Sequence, residues 1–322
     1  MPLIGYHASH EQFSPSHLLQ LVQQAEAAGF GGCLSSDHFH PWTDEQGESA
    51  FAWSWLGAAM QATGFEYGIV NAPGQRYHPA IIAQAAATLA EMFPDRFWIA
   101  TGSGQNLNEH ITGAKWPDKV QRNQRLQESV QIMRRLWQGE TVTHRSELLT
   151  VEEAKLYTRP KRAPKVIGAA ITAKTAAWMA ASDWADGVIT TSKPLEELRP
   201  FVEEFRSAGG SGKQLYLKVQ LSYHPDKKRA FETAWQQWRS NIYPSQVTAD
   251  LAMPAQFAGA GKLTDPEKIR EHVLIGDSAD YFIEQLSAYA ELGIDKLFLH
   301  NVNLEQEQYI EFFGKSVLPE LV

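Results

Sequence analysis

Short apolar runs alternate with amphipathic segments along the whole of this 322-residue chain. A short apolar run followed by a segment of helical periodicity is the pattern of a βα unit. Eight such units in succession predict a (β/α)8 TIM barrel, in which parallel strands surround a packed core and each is followed by a helix, for example over residues 173–185. The predicted strands are residues 3–7, 32–35, 65–71, 97–101, 165–170, 187–191, 215–223 and 296–300.

No linker rich in Pro, Gly or Ser divides the chain, so a single domain over residues 1–322 is predicted. Two segments fit no βα unit. Apolar and polar residues alternate within residues 139–161, which indicates an inserted hairpin. Residues 243–263 read as a long loop, and long loops in compact domains often cover a binding site.

The composition narrows the range of functions and partners. A net charge of −8 argues against nucleic acid and against an anionic membrane surface as partners. The single cysteine, Cys33, cannot form an intramolecular disulfide, which fits a reducing cytoplasm, and its apolar strand indicates a core position. No signal-peptide pattern or membrane-length apolar run is visible. A soluble cytoplasmic protein is predicted.

The segment after the second predicted strand, residues 36–42, carries Asp37, His38, His40 and Trp42. Polar groups at the carboxyl ends of barrel strands converge into one site. Proton-transfer groups beside a flat indole favour a planar conjugated ligand, with one histidine acting as acid–base and a carboxylate such as Asp37 orienting it. His38 and His40 are also spaced to ligate a metal, although no spacing selects further ligands, and no metal site is predicted.

Other loops at the same end of the predicted barrel add candidate contacts. Residues 101–109 are rich in glycine and polar side chains, which allow close backbone approach and hydrogen bonds to a ligand edge. Residues 169–175 precede a helix and offer a phosphate cradle, although Thr172 is equally well explained as a helix cap. Residues 190–193 and 70–79 could also bind the ligand, or they could be conventional βα loops.

Taken together, these residues resemble the luciferase-like superfamily of flavin- and deazaflavin-dependent oxidoreductases, especially the deazaflavin-dependent glucose-6-phosphate dehydrogenase-like proteins. A branch regarded as using an ordinary flavin is the most similar. The resemblance covers nearly the whole chain, and it is carried by residues 5–9, 11–13, 36–39, 41–42, 76–80, 82–84, 102–104, 107–109, 186–187 and 276–277.

This resemblance implies a cofactor ring held at the carboxyl ends of the strands. It implies that Asp37 contacts the ring or orients its neighbour, that His38 removes a hydroxyl proton, and that Trp42 stabilises the bound intermediate. A non-prolyl cis peptide bond is implied within residues 70–72. The residues expected to contact the cofactor are Asp37, Val70, Asn71, Ala72, Ser103, Gly104, Gln105, Asn108, Ala170, Ile171, Thr172 and Thr191.

Three departures from the family pattern shape the functional prediction. Gln105 replaces the glutamate proton donor, a role that Glu109 is then expected to take. Glu271 stands near the position of the substrate-phosphate arginine, which argues against a sugar phosphate. Ala170 and Ile171 replace two glycines at the turn that binds the cofactor phosphate.

The prediction is therefore an FMN-dependent oxidoreductase that transfers a hydride or monooxygenates a small organic substrate, with His38 as acid–base. The alternatives are a dehydrogenase or reductase using the deazaflavin coenzyme F420, a metal-dependent barrel hydrolase, and a flavin-binding protein without turnover. Expected partners are a small-molecule substrate, a flavin reductase as electron donor and a second copy of the chain.

Overall fold

The computed structural model describes residues 1–321, and its centre is a closed barrel of eight parallel strands. Each strand pairs with the next, and the ring closes where Gly187 lies opposite Gln214. The predicted (β/α)8 barrel is therefore confirmed. Its strands, in order around the ring, are β1 (Leu3–Ala8), β2 (Gly32–Ser36), β3 (Glu66–Asn71), β4 (Phe97–Thr101), β7 (Lys165–Ala169), β8 (Gly187–Thr191), β9 (Gln214–Tyr223) and β11 (Lys296–Asn301).

Helices surround the barrel, and capping residues define several of their starts. Ser14 accepts a hydrogen bond from the His17 amide, and Pro15 follows it in the first turn, where its missing amide proton costs nothing. The α-helices are α1 (Pro15–Ala27), α2 (Ala52–Ala62), α3 (Pro79–Met92), α4 (Asn106–Glu109), α5 (Lys119–Gln138), α6 (Ala173–Ala181), α7 (Leu195–Ser207), α8 (Lys227–Trp238), α9 (Ser245–Thr248), α10 (Pro254–Gly261), α11 (Ala279–Ala290) and α12 (Gln306–Ser316).

Both segments that fit no βα unit carry structure of their own. Residues 139–161 contain the antiparallel pair β5 (Val142–Arg145) and β6 (Thr150–Ala154). Residues 243–263 contain the short helices α9 and α10. A further short strand, β10 (Leu274–Gly276), pairs with β9 outside the ring, and the sequence did not predict it. Three residues are too few to show a strand period.

The inside of the barrel is filled at mid-height by large side chains, including Trp98, Tyr216 and Phe298. Gly68 makes room for this layer, because a Cβ atom there would lie 2.1 Å from the Trp98 ring. Above this layer, towards the carboxyl ends of the strands, Val70 and Ala169 keep part of their surface accessible. The barrel is thus closed at its middle and open at the end where the candidate site residues lie.

The structure tests the predictions for Cys33 and for the peptide bonds of residues 70–72. Cys33 is fully buried, which confirms its predicted core position. Every peptide bond among residues 1–321 is trans, so the cis bond expected within residues 70–72 is wrong. Among the same residues, no helix is both long and apolar enough to cross a membrane.

Candidate active site

The loops after β1 and β2 bring a histidine and a carboxylate together. The Nδ1 atom of His38 lies 2.6 Å from Oε1 of Glu11, and the other Glu11 oxygen accepts a hydrogen bond of 2.9 Å from Ser9 Oγ. Only 3% of the Glu11 side chain is exposed, against 15% of the His38 side chain. Trp42 meets the His38 ring edge-on, with 4.9 Å between ring centroids. His38 therefore lies between a buried acid and an indole, with part of its ring accessible.

The charge of this pair is set by its surroundings. Burial acts to raise the pKa of the Glu11 carboxyl, but the charge and hydrogen bond of His38, together with a backbone hydrogen bond and the charge of Lys218, outweigh it. The pKa of Glu11 consequently lies well below its usual range, so Glu11 is ionised at neutral pH. A buried carboxylate on one ring nitrogen fixes the orientation of the imidazole and favours the tautomer with Nδ1 protonated. The other ring nitrogen is then free to accept a proton.

Asp37, which the sequence predicted to orient His38, has other partners. Its carboxylate accepts hydrogen bonds from Asn71 Nδ2 at 2.7 Å, Arg76 Nη2 at 3.2 Å and the Tyr77 hydroxyl at 3.2 Å. Asp37 is buried, and these contacts tie the loop after β2 to the loop after β3. The orienting acid is Glu11 instead, because it reaches the imidazole from the first βα loop.

Glu109 also faces Arg76 rather than His38. One of its oxygens accepts a hydrogen bond of 2.7 Å from the Arg76 amide, and the other lies 3.7 Å from Arg76 Nε. Burial raises the pKa of the Glu109 carboxyl above its ordinary value. Within residues 1–321 no hydrogen bond joins it to His38, so the structure does not bring this predicted acid and base into contact.

The two histidines of the loop after β2 diverge. His40 Nδ1 lies 2.9 Å from the Leu107 carbonyl oxygen, and its ring stacks on His110. Asn108 Oδ1 accepts hydrogen bonds from the amides of Phe39 and His40 at 2.8 and 3.2 Å, which joins this loop to α4. Among residues 1–321 no group of three or more His, Cys, Asp or Glu side chains is arranged to hold a metal ion.

The remaining predicted cofactor contacts lie on loops at the same end of the barrel. Ser103 accepts a hydrogen bond of 2.8 Å from Lys119 Nζ, and Gly104 needs its glycine because φ is +83°. Ahead of α6, Thr172 caps the helix by accepting from the Thr175 amide, and Ile171 is 41% exposed. The other predicted contacts, at the carboxyl ends of β3 and β8 and on the loops after β3, β4 and β7, are Val70, Thr191, Ala72, Gln105 and Ala170.

The segment 243–263 lies over one side of this end of the barrel. Phe257 of α10 is fully buried and packs edge-on against Trp42, with ring centroids 5.4 Å apart. Asp250 accepts a hydrogen bond of 2.9 Å from Trp116 Nε1, and the Asn106 amide donates to the Ala249 carbonyl at the same distance. The segment is thus held to both Trp42 and the loop after β4.

Three interior residues of this region received no role from the sequence. His7 and His300 lie with ring centroids 4.4 Å apart, and burial lowers both pKa values well below the usual range. Lys218 reaches the same end of the barrel from β9. The signal available for Lys218 was its place between Leu217 and Val219 in a predicted interior strand, where a charged side chain is costly.

The carboxyl ends of the barrel strands thus carry a histidine–carboxylate pair next to an indole. The chain matches the luciferase-like monooxygenase family over residues 3–296 and belongs to that family. The chain is an enzyme with oxidoreductase activity, as the sequence predicted.

Similar proteins refine this assignment. The chain is 33% identical to the F420-dependent glucose-6-phosphate dehydrogenase of Microbacterium testaceum, over 98% of this chain and 96% of that protein. It is 34% identical to the protein of the same name from Segniliparus rotundus, over 99% and 97%. A solved structure of an F420-dependent secondary alcohol dehydrogenase, in complex with an F420–acetone adduct, is 30% identical over all of both chains, with a TM-score of 0.91.

These relatives overturn the main functional prediction. An FMN-type enzyme that excludes sugar phosphates was expected, yet full-length relatives are named as F420-dependent and as sugar-phosphate dehydrogenases. The argument from Glu271 failed because it considered one charge alone. In the structure Glu271 lines a cleft together with Glu196, Lys193 and Arg270, so two acids face two bases and the cleft is not acidic as a whole.

Proposed function

We propose that this protein is an F420-dependent dehydrogenase that oxidises a hydroxyl group of a small molecule, or reduces the corresponding carbonyl group. The observation that carries the proposal is the contact between His38 and Glu11 beside Trp42, at the open end of the barrel. The names of the full-length relatives support the cofactor and the reaction class. When bound, the deazaflavin supplies a hydride acceptor or donor.

The proton that accompanies the hydride is assigned to His38. Its Nδ1 faces Glu11, so the other ring nitrogen is the one that can take the hydroxyl proton of the substrate. The resulting imidazolium would then be stabilised by the ionised Glu11 carboxylate. Trp42 offers a flat apolar face next to the same ring and would limit the positions open to the substrate. Glu109 stays a proposed proton donor through its raised pKa.

The cofactor ring would lie at the open end of the barrel. Val70, Ala169 and Thr191 lie above the filled interior layer with accessible surface, and Gly102 adds no side chain to the rim. A Cβ atom at Gly102 would contact the Ala169 Cβ at 3.5 Å, an ordinary contact distance, so the ring space is bounded but not tight there. The nine-residue helix α6 begins nearby and would attract the phosphate of the cofactor tail.

The test is a titration of the purified protein with F420 and with FMN, followed by turnover assays. Saturable binding of F420, with reduction of F420 by secondary alcohols or by glucose 6-phosphate, is expected. His38→Ala should keep the cofactor and lose turnover, by about 10²-fold or more. His40→Ala is the matched control, because His40 is in the same loop but faces the Leu107 carbonyl.

Absence of F420 binding would overturn the proposal. Intact turnover in His38→Ala would overturn only the assignment of His38 as the base, and the proposed cofactor and reaction would stand. Comparing the two substrates decides which substrate class the enzyme uses, because a preference for the phosphorylated sugar requires a phosphate contact that a simple secondary alcohol does not need.

A further inference from the structure

Trp42, which packs against the His38 ring, lies in an irregular segment. Residues 37–51 connect β2 to α2, and the partly buried indole packs edge-on between the rings of His38 and Phe257, with centroids 4.9 and 5.4 Å away. The ladder of hydrogen bonds that fixes a strand does not extend into such a segment, so individual contacts decide where its main chain lies. The main chain at Trp42 therefore needs an anchor of its own if the ring is to stay against His38.

The side chain of Gln46 supplies this anchor. Its oxygen accepts a hydrogen bond of 3.0 Å from the Trp42 amide, and its nitrogen donates one of 3.3 Å to the Gln237 carbonyl oxygen of α8. Gln46 is buried, so water does not readily replace either partner. One buried amide group thus joins the main chain at Trp42 to a helix.

The anchoring point on α8 is itself held to the barrel. Gln237 is buried, and its side-chain oxygen accepts a hydrogen bond of 3.1 Å from the side-chain nitrogen of Gln12. The same nitrogen of Gln12 lies 2.9 Å from the Val302 carbonyl oxygen, which follows β11. Gln46 therefore connects Trp42 to a part of α8 that is fixed to the loops after β1 and β11.

The turn that carries Gln46 also meets the acid partner of His38. The Gln46 amide donates to the Thr43 carbonyl at 3.1 Å, and two residues later the Glu48 amide donates to the Glu11 carbonyl at 3.2 Å. A second tie between this turn and the end of α8 is the ion pair of Glu45 with Arg239, at 2.9 Å. Glu45 is half exposed, and an ion pair of this kind contributes little. Gln46 is thus the buried link of this turn to α8.

We propose that Gln46 is a positioning residue of the active site: by joining the Trp42 amide to α8, it keeps the Trp42 indole against the His38 ring. Without this side chain the Trp42 amide loses its partner, and the segment can rearrange to recover one. The indole would then occupy several positions and constrain the substrate less well beside the base. This inference rests on the roles of His38 and Trp42 in the proposed function.

The first test observes Trp42 directly, in the protein without cofactor or substrate. The ten tryptophans of the chain are labelled as fluorotryptophan, and the Trp42 signal in the fluorine NMR spectrum is assigned by its loss in Trp42→Phe. Gln46→Met keeps the length of the side chain but has no N–H donor and only a weak acceptor. The Trp42 signal should move or split into several lines in this variant. An unchanged signal overturns the proposal.

Two variants serve as matched controls. Gln306 is also buried and hydrogen-bonded, but its side-chain partners lie on β1, β11 and the loop after β11. Glu45→Gln alters the surface tie of the same turn. Gln306→Met and Glu45→Gln should both leave the Trp42 signal in place, and changes equal to that of Gln46→Met would overturn the assignment to Gln46. If Gln46→Met does not fold, Gln46→Asn takes its place, because its shorter amide cannot span both contacts.

A second measurement tests whether Gln46 acts through Trp42. With an active substrate, Gln46→Met should lower kcat by about tenfold and leave the affinity for F420 within about threefold of the wild type. In a Trp42→Ala background the same substitution should cause no further loss, because the group through which it acts is already gone. Additive losses, or an unchanged kcat beside a moved NMR signal, overturn the positioning role.

The two measurements also separate this inference from the proposed function. Failure of F420 binding would refute the proposed function, while the NMR comparison would still decide whether Gln46 holds the indole in place. An unchanged Trp42 signal in an enzyme that binds F420 and turns over would refute the inference alone.

Discussion

The Nδ1 atom of His38 and the Oε1 atom of Glu11 lie 2.6 Å apart, although the two residues belong to different βα loops. The barrel brings them together because β1 and β2 are adjacent parallel strands, with Tyr6 opposite Cys33, so their carboxyl ends meet. Glu11 is almost completely buried and His38 is not. The pair thus has an inner, ionised member and an outer member that a ligand can reach.

Glu11→Gln should impair catalysis more than cofactor binding. The amide keeps the shape of the side chain but removes the charge that stabilises a protonated His38, so we expect kcat/KM to fall by about 10²-fold. The affinity for F420 should stay within about threefold of the wild type. Steady-state kinetics and a binding titration measure the two effects. Glu307→Gln, which alters a surface histidine–glutamate pair with His17, is the control. Equal losses in both variants would contradict the assignment.

Asp37→Asn should destabilise the protein. The carboxylate is buried against Arg76, and its removal leaves that guanidinium with only the longer carboxylate contact of 3.7 Å to Glu109, at a cost of about 3 kcal/mol. Urea unfolding measures the difference. Asp95→Asn is the control, since Asp95 pairs with Arg162 at the surface and asparagine tolerates its positive φ of 63°. A change below about 1 kcal/mol in Asp37→Asn would show that Arg76 finds another partner.

Stability should fall as the pH drops from about 6.5 to 4. Burial lowers the pKa of His10 to about 4, and His10 Nε2 contacts Ser35 Oγ at 2.8 Å. In this pH window the unfolded chain binds a proton that the native state does not, so protonation favours unfolding, by about 3 kcal/mol in total for His10. His10→Asn should make the dependence measured by urea unfolding between pH 7 and 5 less steep, while the buried His7 and His300 keep the rest of it. The surface replacement His78→Asn is the control, and equal slopes in the two variants would refute this origin.

Phe257→Ala should weaken substrate binding. Phe257 is fully buried against Trp42, and its loss removes the packing that holds α10 over the site. We expect KM to rise by about tenfold, with a smaller effect on the free energy of unfolding than a barrel-core truncation, because α10 is an insertion. Val247→Ala, in the same segment but 45% exposed, is the control. An unchanged KM in Phe257→Ala would mean that the segment does not cover the substrate.

The barrel and the approximate bounds of its strands were predictable because each strand carries its own apolar period. Strands β4 and β8 coincide with their predictions, and β1 and β11 extend one residue further. Helix α6 ends at Ala181 rather than residue 185, where Ser182 leaves the helical conformation. Such ends depend on local capping that the apolar period does not encode.

The cluster around His38 was predictable in its location, since polar residues after a barrel strand converge with those of neighbouring strands. The contacts between the side chains within this cluster were not predictable. Asp37 is adjacent to His38 in the chain, but its carboxylate faces Arg76. Adjacent residues after a strand point in different directions, so closeness in sequence was a poor guide to contact.

Local periodicity and loop chemistry, both readable from the sequence, determined the eight βα units and the end of the barrel that carries the predicted site, while the family resemblance singled out His38. Only the tertiary structure decided that Glu11 orients His38, that Asp37 joins two loops, and that Lys218 reaches the site from the barrel interior. These relationships join residues on different strands, and their energies depend on burial and on distances that closure of the barrel alone sets.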